Sequence, residues 1–144
     1  MWSVRPALDA INEIRTDGYA IGVLTDCTAE VPELWPSLPY SALVDAVSFS
    51  CDVGHRKPHR AGYHDIARKL GVAAEECLYV GDGSSNELTG ATSAGMTAVL
   101  LETPFGTDFR YDAEDRWMGR SVSELHEVRH LLREFEHRKR VTCE

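Results

Sequence analysis

Cys77-Leu78-Tyr79-Val80-Gly81-Asp82-Gly83-Ser84-Ser85-Asn86-Glu87-Leu88 is the stretch that decides the fold. An apolar run ends in a glycine-bracketed aspartate, followed by two hydroxyls and a second carboxylate before helical periodicity resumes, so it reads as strand, tight loop, helix. Asp82 therefore sits at the C-terminal tip of a strand. Ligands of open parallel sheets bind beyond such tips, and a carboxylate pair such as Asp82 and Glu87 offers hard oxygen ligands to Mg²⁺. The competing reading is a polar strand-to-helix turn, since glycine-rich loops of this kind are common.

The flanking sequence repeats the alternation. Upstream, Pro6 opens an amphipathic helix carrying Leu8, Ile11 and Ile14 and stopped by Gly18. Tyr19 to Leu24 then reads as a buried strand ending in Thr25-Asp26-Cys27-Thr28. Pro32, Pro36 and Pro39 leave the next section no more than a short helical turn. Asp45 to Ser50 is a second strand. After the loop 51–56, Pro58 suits a first helical position, and Tyr63, Ile66, Ala67 and Leu70 follow at helical spacing up to Gly71. Beyond Asp82, Leu88 and Ala91 face inward on a helix that stops at Gly95, and Thr97 to Leu101 forms a fourth strand. This order predicts an α/β domain with a parallel sheet.

Residues 102–120 carry no period and read as an irregular surface loop. Ser121-Val122-Ser123-Glu124 suggests a capping box opening a C-terminal helix over 121–140, with Leu125, Val128, Leu131, Leu132 and Phe135 on its buried face. The 144 residues fit one domain, 1–144.

Composition narrows the function. Hydrophobic content of 43% with 26% charged residues is that of a globular protein. Fifteen basic against twenty-three acidic residues give a formal charge of −8, which argues against nucleic-acid or anionic-membrane partners. The N-terminal residues lack an apolar leader and no run approaches a membrane span, so a cytoplasmic location is expected. Cys27, Cys51, Cys77 and Cys143 contain no Cys-x-x-Cys pair, which disfavours a zinc ribbon or disulfide framework. Cys27, Cys51 and His55 would be soft ligands only if their loops lie side by side.

Three polar groups share one structural address: Thr25 after the first strand, Lys57 after the second, Asp82 after the third. Right-handed crossovers bring all three to one sheet edge. A hydroxyl, an ammonium and a metal-binding carboxylate are what a transferring phosphoryl group needs around its equatorial oxygens.

In this order the residues resemble the haloacid dehalogenase-like hydrolase superfamily: Ile21-Gly22-Val23-Leu24-Thr25 its second motif, Arg56-Lys57-Pro58 its third, Gly81 to Leu88 its fourth. The resemblance covers Pro6 to about Leu101. It implies a Rossmann-like three-layer fold, Mg²⁺ as cofactor, and hydrolysis of a small phosphorylated substrate through an aspartyl-phosphate. Thr25 would hold phosphoryl oxygens, Lys57 would neutralise nucleophile and phosphate, and Asp82 with Glu87 would hold the metal. Glu87 replaces the more usual aspartate.

The family's first motif, a strand ending in Asp-x-Asp that carries the nucleophile, has no counterpart before Pro6. Asp26-Cys27-Thr28 imitates it, but then only Ser48 or Ser50 could act as second motif. The missing strand would lie between those matching Tyr19–Leu24 and Cys77–Val80. Leaving that slot empty exposes backbone groups at about 1–3 kcal/mol per buried unsatisfied group, against a total domain stability of roughly 5–15 kcal/mol. The expectation is the C-terminal part of a longer hydrolase, or a start codon placed late. The alternative is a non-catalytic phosphate- or metal-binding module that completes its sheet with a partner segment or a second copy.

A last pattern, His126-Glu127-Val128-Arg129-His130, matches the zinc-peptidase signature His-Glu-x-x-His. No third ligand is in reach, and both histidines are predicted on the solvated side of their helix.

Overall fold

A computed structural model describes residues 5–102 and 117–142. In chain order the elements are α1 (Arg5–Thr16), β1 (Gly22–Thr25), α2 (Glu30–Leu34), β2 (Ala46–Phe49), α3 (Ser50–Val53), α4 (Arg60–Leu70), β3 (Leu78–Gly81), α5 (Glu87–Ser93), β4 (Thr97–Leu101), β5 (Arg120–Val122) and α6 (Glu127–Thr142). Every strand pairing is parallel. Helices cover both faces, so the chain has the three-layer α/β architecture expected of its alternating pattern.

One face is covered by α4 and α5. Tyr63, Ile66 and Ala67 of α4 pack with Leu88 and Ala91 of α5 and with Ala98 of β4. On the other face Ile14 of α1 meets Val99, Val122 and Val128, with Leu125, Leu131 and Leu132 beside them. These apolar positions recur every three or four residues along the helices, which is why each helix turns one stripe to the strands. The C-terminal helix is further tied to α1 by Arg129, which donates to both carboxylate oxygens of Asp17. That guanidinium lowers the Asp17 carboxyl pKa below its ordinary value. Exposed pairs of this kind add little to stability, so the apolar stripe anchors α6. Among the described residues no helix is long and apolar enough to cross a membrane.

The strands do not form one continuous sheet. β1 pairs with β2, and β3 pairs with β4, which pairs with β5. Among the described residues β1 and β3 have no ladder between them. The predicted alternatives were direct closure of the two strands or another segment in the slot, and among the described residues neither is seen. The halves are held by the helix layers instead: α4 packs on β1 and β2 and also on α5, which packs on β3 and β4. The ring of Tyr63 in α4 meets that of Tyr79 in β3 edge to face, with centroids 5.4 Å apart.

Several boundaries differ from the sequence reading. Pro58 precedes the N-cap of α4 and does not occupy its first position; His59 caps the helix, its Nδ1 accepting the Ala61 N–H at 3.1 Å. Residues 121 and 122, expected in the last helix, belong to β5, because the exposed edge of β4 offers them a ladder. The helix starts only at Glu127, so the predicted 121–140 span is corrected to 127–142. Its cap is Glu127, whose Oε1 accepts the Ser123 and Glu124 N–H groups, each at 2.9 Å, in the role assigned to Glu124. The irregular loop expected over 102–120 lies mostly outside the described residues.

A second polar anchor lies under α4. Asp65 accepts the buried Ser48 hydroxyl at 2.6 Å and is paired with Arg68 at 2.7 Å and Lys69 at 3.0 Å. Burial works against ionisation, but the hydrogen bonds from Ser48, Arg68 and Lys69 outweigh it and bring the Asp65 pKa down to about 2. The folded value lies below the unfolded one, so this stabilisation is complete above about pH 4 and is lost as pH falls towards 2. Asp65→Asn should therefore destabilise the protein by about 1–2 kcal/mol at neutral pH and by almost nothing near pH 2. Urea midpoints of both proteins across that range measure it; a pH-independent difference would refute the assignment.

Candidate functional site

The three predicted strand ends lie on one edge. Thr25 is the last residue of β1 and stands opposite Phe49 in the β1–β2 ladder. Its neighbour Asp26 accepts the backbone N–H of Lys57 at 3.0 Å, which clamps the 54–59 loop to the end of β1. Lys57 then reaches across to the end of β3, where its ammonium meets Glu87 Oε2 at 2.8 Å. The positive charge of Lys57 also acts on Asp82. The end of the first strand is thus linked through Lys57 to the end of the third.

Glu87 is the centre of this arrangement. It is 4% exposed. Its Oε2 accepts from Lys57 and from the Tyr79 hydroxyl at 2.7 Å, and its Oε1 accepts the Gly83 N–H at 3.0 Å. The backbone carbonyl of Glu87 accepts the Tyr63 hydroxyl at 2.8 Å. Burial, followed by the charge of Glu87, raises the Tyr79 phenol pKa far above its ordinary range and keeps it a donor. The carboxylate lies so close beneath Gly81 that a Cβ there would overlap it, which accounts for the glycine before Asp82. Gly83, Ser85 and Asn86 all take positive φ values of 86°, 56° and 51°, a sharp reversal that swings Glu87 back under the strand end.

Asp82 is disposed differently. Its Oδ1 accepts the Ser84 N–H at 2.9 Å. Burial raises its pKa, but the backbone and hydroxyl of Ser84 and the charge of Lys57 more than compensate, leaving it below the ordinary value. Asp82 is thus held as an anion at the strand tip. Of the carboxylate pair predicted for Mg²⁺, Asp82 stands at this edge, its Oδ1 accepting the Ser84 N–H. Glu87 is turned inward and both of its oxygens have protein donors.

The remaining candidates have other employment. Ser48 is spent on Asp65. Ser50 Oγ accepts the Cys27 N–H at 2.9 Å and lies 3.3 Å from its carbonyl oxygen. Cys27, Cys51 and His55 do converge, lining an open cavity of about 490 Å³ with Asp26 and Arg56 beside the strand ends. Yet among the described residues no three His, Cys, Asp or Glu side chains are placed to hold a metal. The two sulfurs lie 3.8 Å apart. Burial and then the neighbouring Cys27 sulfur raise the Cys51 thiol pKa above its ordinary value. His126 and His130 are exposed, each beside its own glutamate, Glu124 at 2.8 Å and Glu134 at 3.3 Å.

Sequence reading missed the clamp role of Asp26 and the two tyrosines that pin Glu87. Tyr79 could have been noticed as a phenol inside an otherwise aliphatic strand. Tyr63 had no such signal, because its helical spacing is that of any core residue.

A model of the haloacid dehalogenase-like hydrolase family matches residues 3–95, well over half of the chain and every residue of the Lys57–Glu87 arrangement. The chain belongs to the haloacid dehalogenase-like hydrolase family. A phosphatase of Mycobacterium tuberculosis is 37% identical over 100 residues, 68% of this chain and 44% of that protein. A glyceraldehyde 3-phosphate phosphatase of Methanothermobacter thermautotrophicus is 29% identical over 92 residues, 63% of this chain and 41% of that protein. The crystal structure of a HAD phosphatase from Thermococcus onnurineus superposes with a TM-score of 0.73 at 27% identity, covering 88% of this chain and 56% of that one. The matched region thus spans less than half the length of these two curated relatives. Among haloacid dehalogenase-like hydrolases this chain shares the Rossmann-like core.

Proposed function

We propose that this chain supplies the lysine and metal half of a Mg²⁺-dependent phosphate monoester hydrolase acting on a small phosphorylated metabolite. The observation that carries the proposal is the buried Lys57–Glu87 pair beside the Asp82 anion, at the C-terminal ends of two strands with an unpaired slot between them. The phosphatase relatives support the reaction class.

Each residue has a role that its position allows. Thr25 donates its hydroxyl to a phosphoryl oxygen. Lys57, aimed by Glu87 and clamped through its backbone by Asp26, neutralises charge as the phosphoryl group transfers. Asp82 holds Mg²⁺, an ion that is commonly bound through one or two carboxylates, waters and substrate phosphate, so one protein carboxylate fits. When bound, the ion would neutralise phosphoryl charge. Glu87 we assign to setting the lysine, in place of the metal role expected for it. The attacking carboxylate comes with a strand that enters between β1 and β3. A second reading rests on the same slot: the entering strand, from a partner or a second copy, brings no carboxylate and the assembly binds phosphate without turnover.

The test is complementation. The purified chain with Mg²⁺ and an aryl phosphate should release little phosphate alone and at least tenfold more with a strand-length apolar peptide ending in Asp-x-Asp. Lys57→Ala should abolish the gain, consistent with the 10²-fold or greater effect of removing an electrostatic stabiliser. Peptide binding without phosphate release would favour the silent module, and turnover by the chain alone that disappears in Asp26→Asn would overturn the assignment.

A further inference from the structure

We propose that Cys27 and Cys51 are a reversible disulfide site, closed by peroxide, that staples the loop after β1 to the first turn of α3 at the rim of the cavity next to Lys57. The inference does not depend on the reaction proposed above. Two chain segments that are 24 residues apart bring these sulfurs to 3.8 Å. The backbone beneath them is already tied: Ser50, which immediately precedes Cys51, is buried and accepts the Cys27 N–H at 2.9 Å. Closure to a disulfide of about 2.05 Å therefore asks mainly for side-chain rotation. Cys51 is exposed, Cys27 is half-buried, and both line the open cavity, so an oxidant in solvent reaches the pair. The third described cysteine, Cys77, immediately precedes β3, with its sulfur 3.5 Å from the Ala73 carbonyl oxygen.

The chemistry balances with hydrogen peroxide as the oxidant. The Cys51 thiolate attacks one peroxide oxygen, the O–O bond breaks, and a sulfenic acid and one water result. The Cys27 sulfur then attacks the Cys51 sulfur, the S–O bond breaks, and a second water leaves as the S–S bond forms. Two thiols and one peroxide give one disulfide and two waters. Because the Cys51 thiol is raised, the thiolate is a minor form at neutral pH, and a peroxide pulse is a more suitable probe than trace oxidant.

The experiment treats the full chain with hydrogen peroxide, alkylates the remaining thiols and maps the peptides by mass spectrometry. The expected product has lost two hydrogens, joins the peptides holding Cys27 and Cys51, and returns to the free thiols with dithiothreitol. The pair should disappear at least tenfold faster than the Cys77 thiol. Cys51→Ser and Cys27→Ser should each abolish the cross-linked peptide, while Cys77→Ser leaves it unchanged; circular dichroism checks that each variant is folded. Cross-links through Cys77 or Cys143 in its place, separate oxidation of Cys27 and Cys51 to sulfinic acids, or unreacted thiols at both positions would each overturn the proposal.

Discussion

Glu87→Ala should lower the unfolding free energy by about 3–5 kcal/mol, the range for breaking a buried ion pair on one side only. The variant removes the acceptor for Lys57, whose side chain is 15% exposed, and the acceptors for the Tyr79 hydroxyl and the Gly83 N–H. Unsatisfied donors in so buried a place forfeit their hydration as well as their bond. Urea denaturation followed by circular dichroism measures the loss. The informative companion is the double variant Lys57→Met with Glu87→Leu. If the penalty arises from an orphaned charge, replacing both partners by apolar side chains should recover at least half of the loss, because a buried ion pair is itself worth little against well-packed hydrophobes. A double variant as unstable as Glu87→Ala would show instead that the carboxylate is needed to shape the 83–87 loop.

Tyr63→Ala should cost about 3–5 kcal/mol, in the range for emptying a large aromatic site in a core. Tyr63 is completely buried, and it packs among the residues that join α4 to α5. Its site is tightly enclosed: a Cβ on Gly90 would come within 2.6 Å of its hydroxyl oxygen and 2.8 Å of the Pro58 carbonyl oxygen. Among the described residues β1 and β3 share no ladder, and this packing ties the β1–β2 pair to β3 and β4. Tyr63→Phe separates the ring from the hydroxyl. It keeps the edge-to-face contact with Tyr79 but leaves the Glu87 carbonyl without that donor, and should cost about 1–2 kcal/mol. Thermal and urea unfolding of the three proteins check the order alanine below phenylalanine below wild type. Equal effects of the two substitutions would place the whole contribution in the hydrogen bond.

Much of the architecture was readable in one dimension. The helix stripes of Ile14, Ile66, Leu88 and Val128 are local patterns, and local patterns decide which segments are helices and which face each buries. The order of Thr25, Lys57 and Asp82 after successive strands, with right-handed crossovers, was enough to put them on one edge of a parallel sheet. The break between β1 and β3 was not legible in the sequence, which predicts that the two strands close on one another or share a filling segment; among the described residues they have no ladder between them.

Tertiary structure alone decided where each carboxylate points. Asp82 and Glu87 are equivalent on paper, five residues apart in a polar loop. The positive φ values of Ser85 and Asn86 turn one inward and leave the other at the strand tip; Asn has a local preference for that region, but Ser85 has none. Asp26 became the clamp of the Lys57 loop, and Ser48 and Ser50 became anchors for Asp65 and Cys27, because partners 17 to 31 residues away met them in space. Strand β5 formed because β4 had an open edge to offer, which residues 120–122 cannot reveal by themselves. Periodicity determines which side of an element is apolar; which polar atoms find one another depends on how the elements dock, and on that docking rest the Lys57–Glu87 pair and the two facing sulfurs.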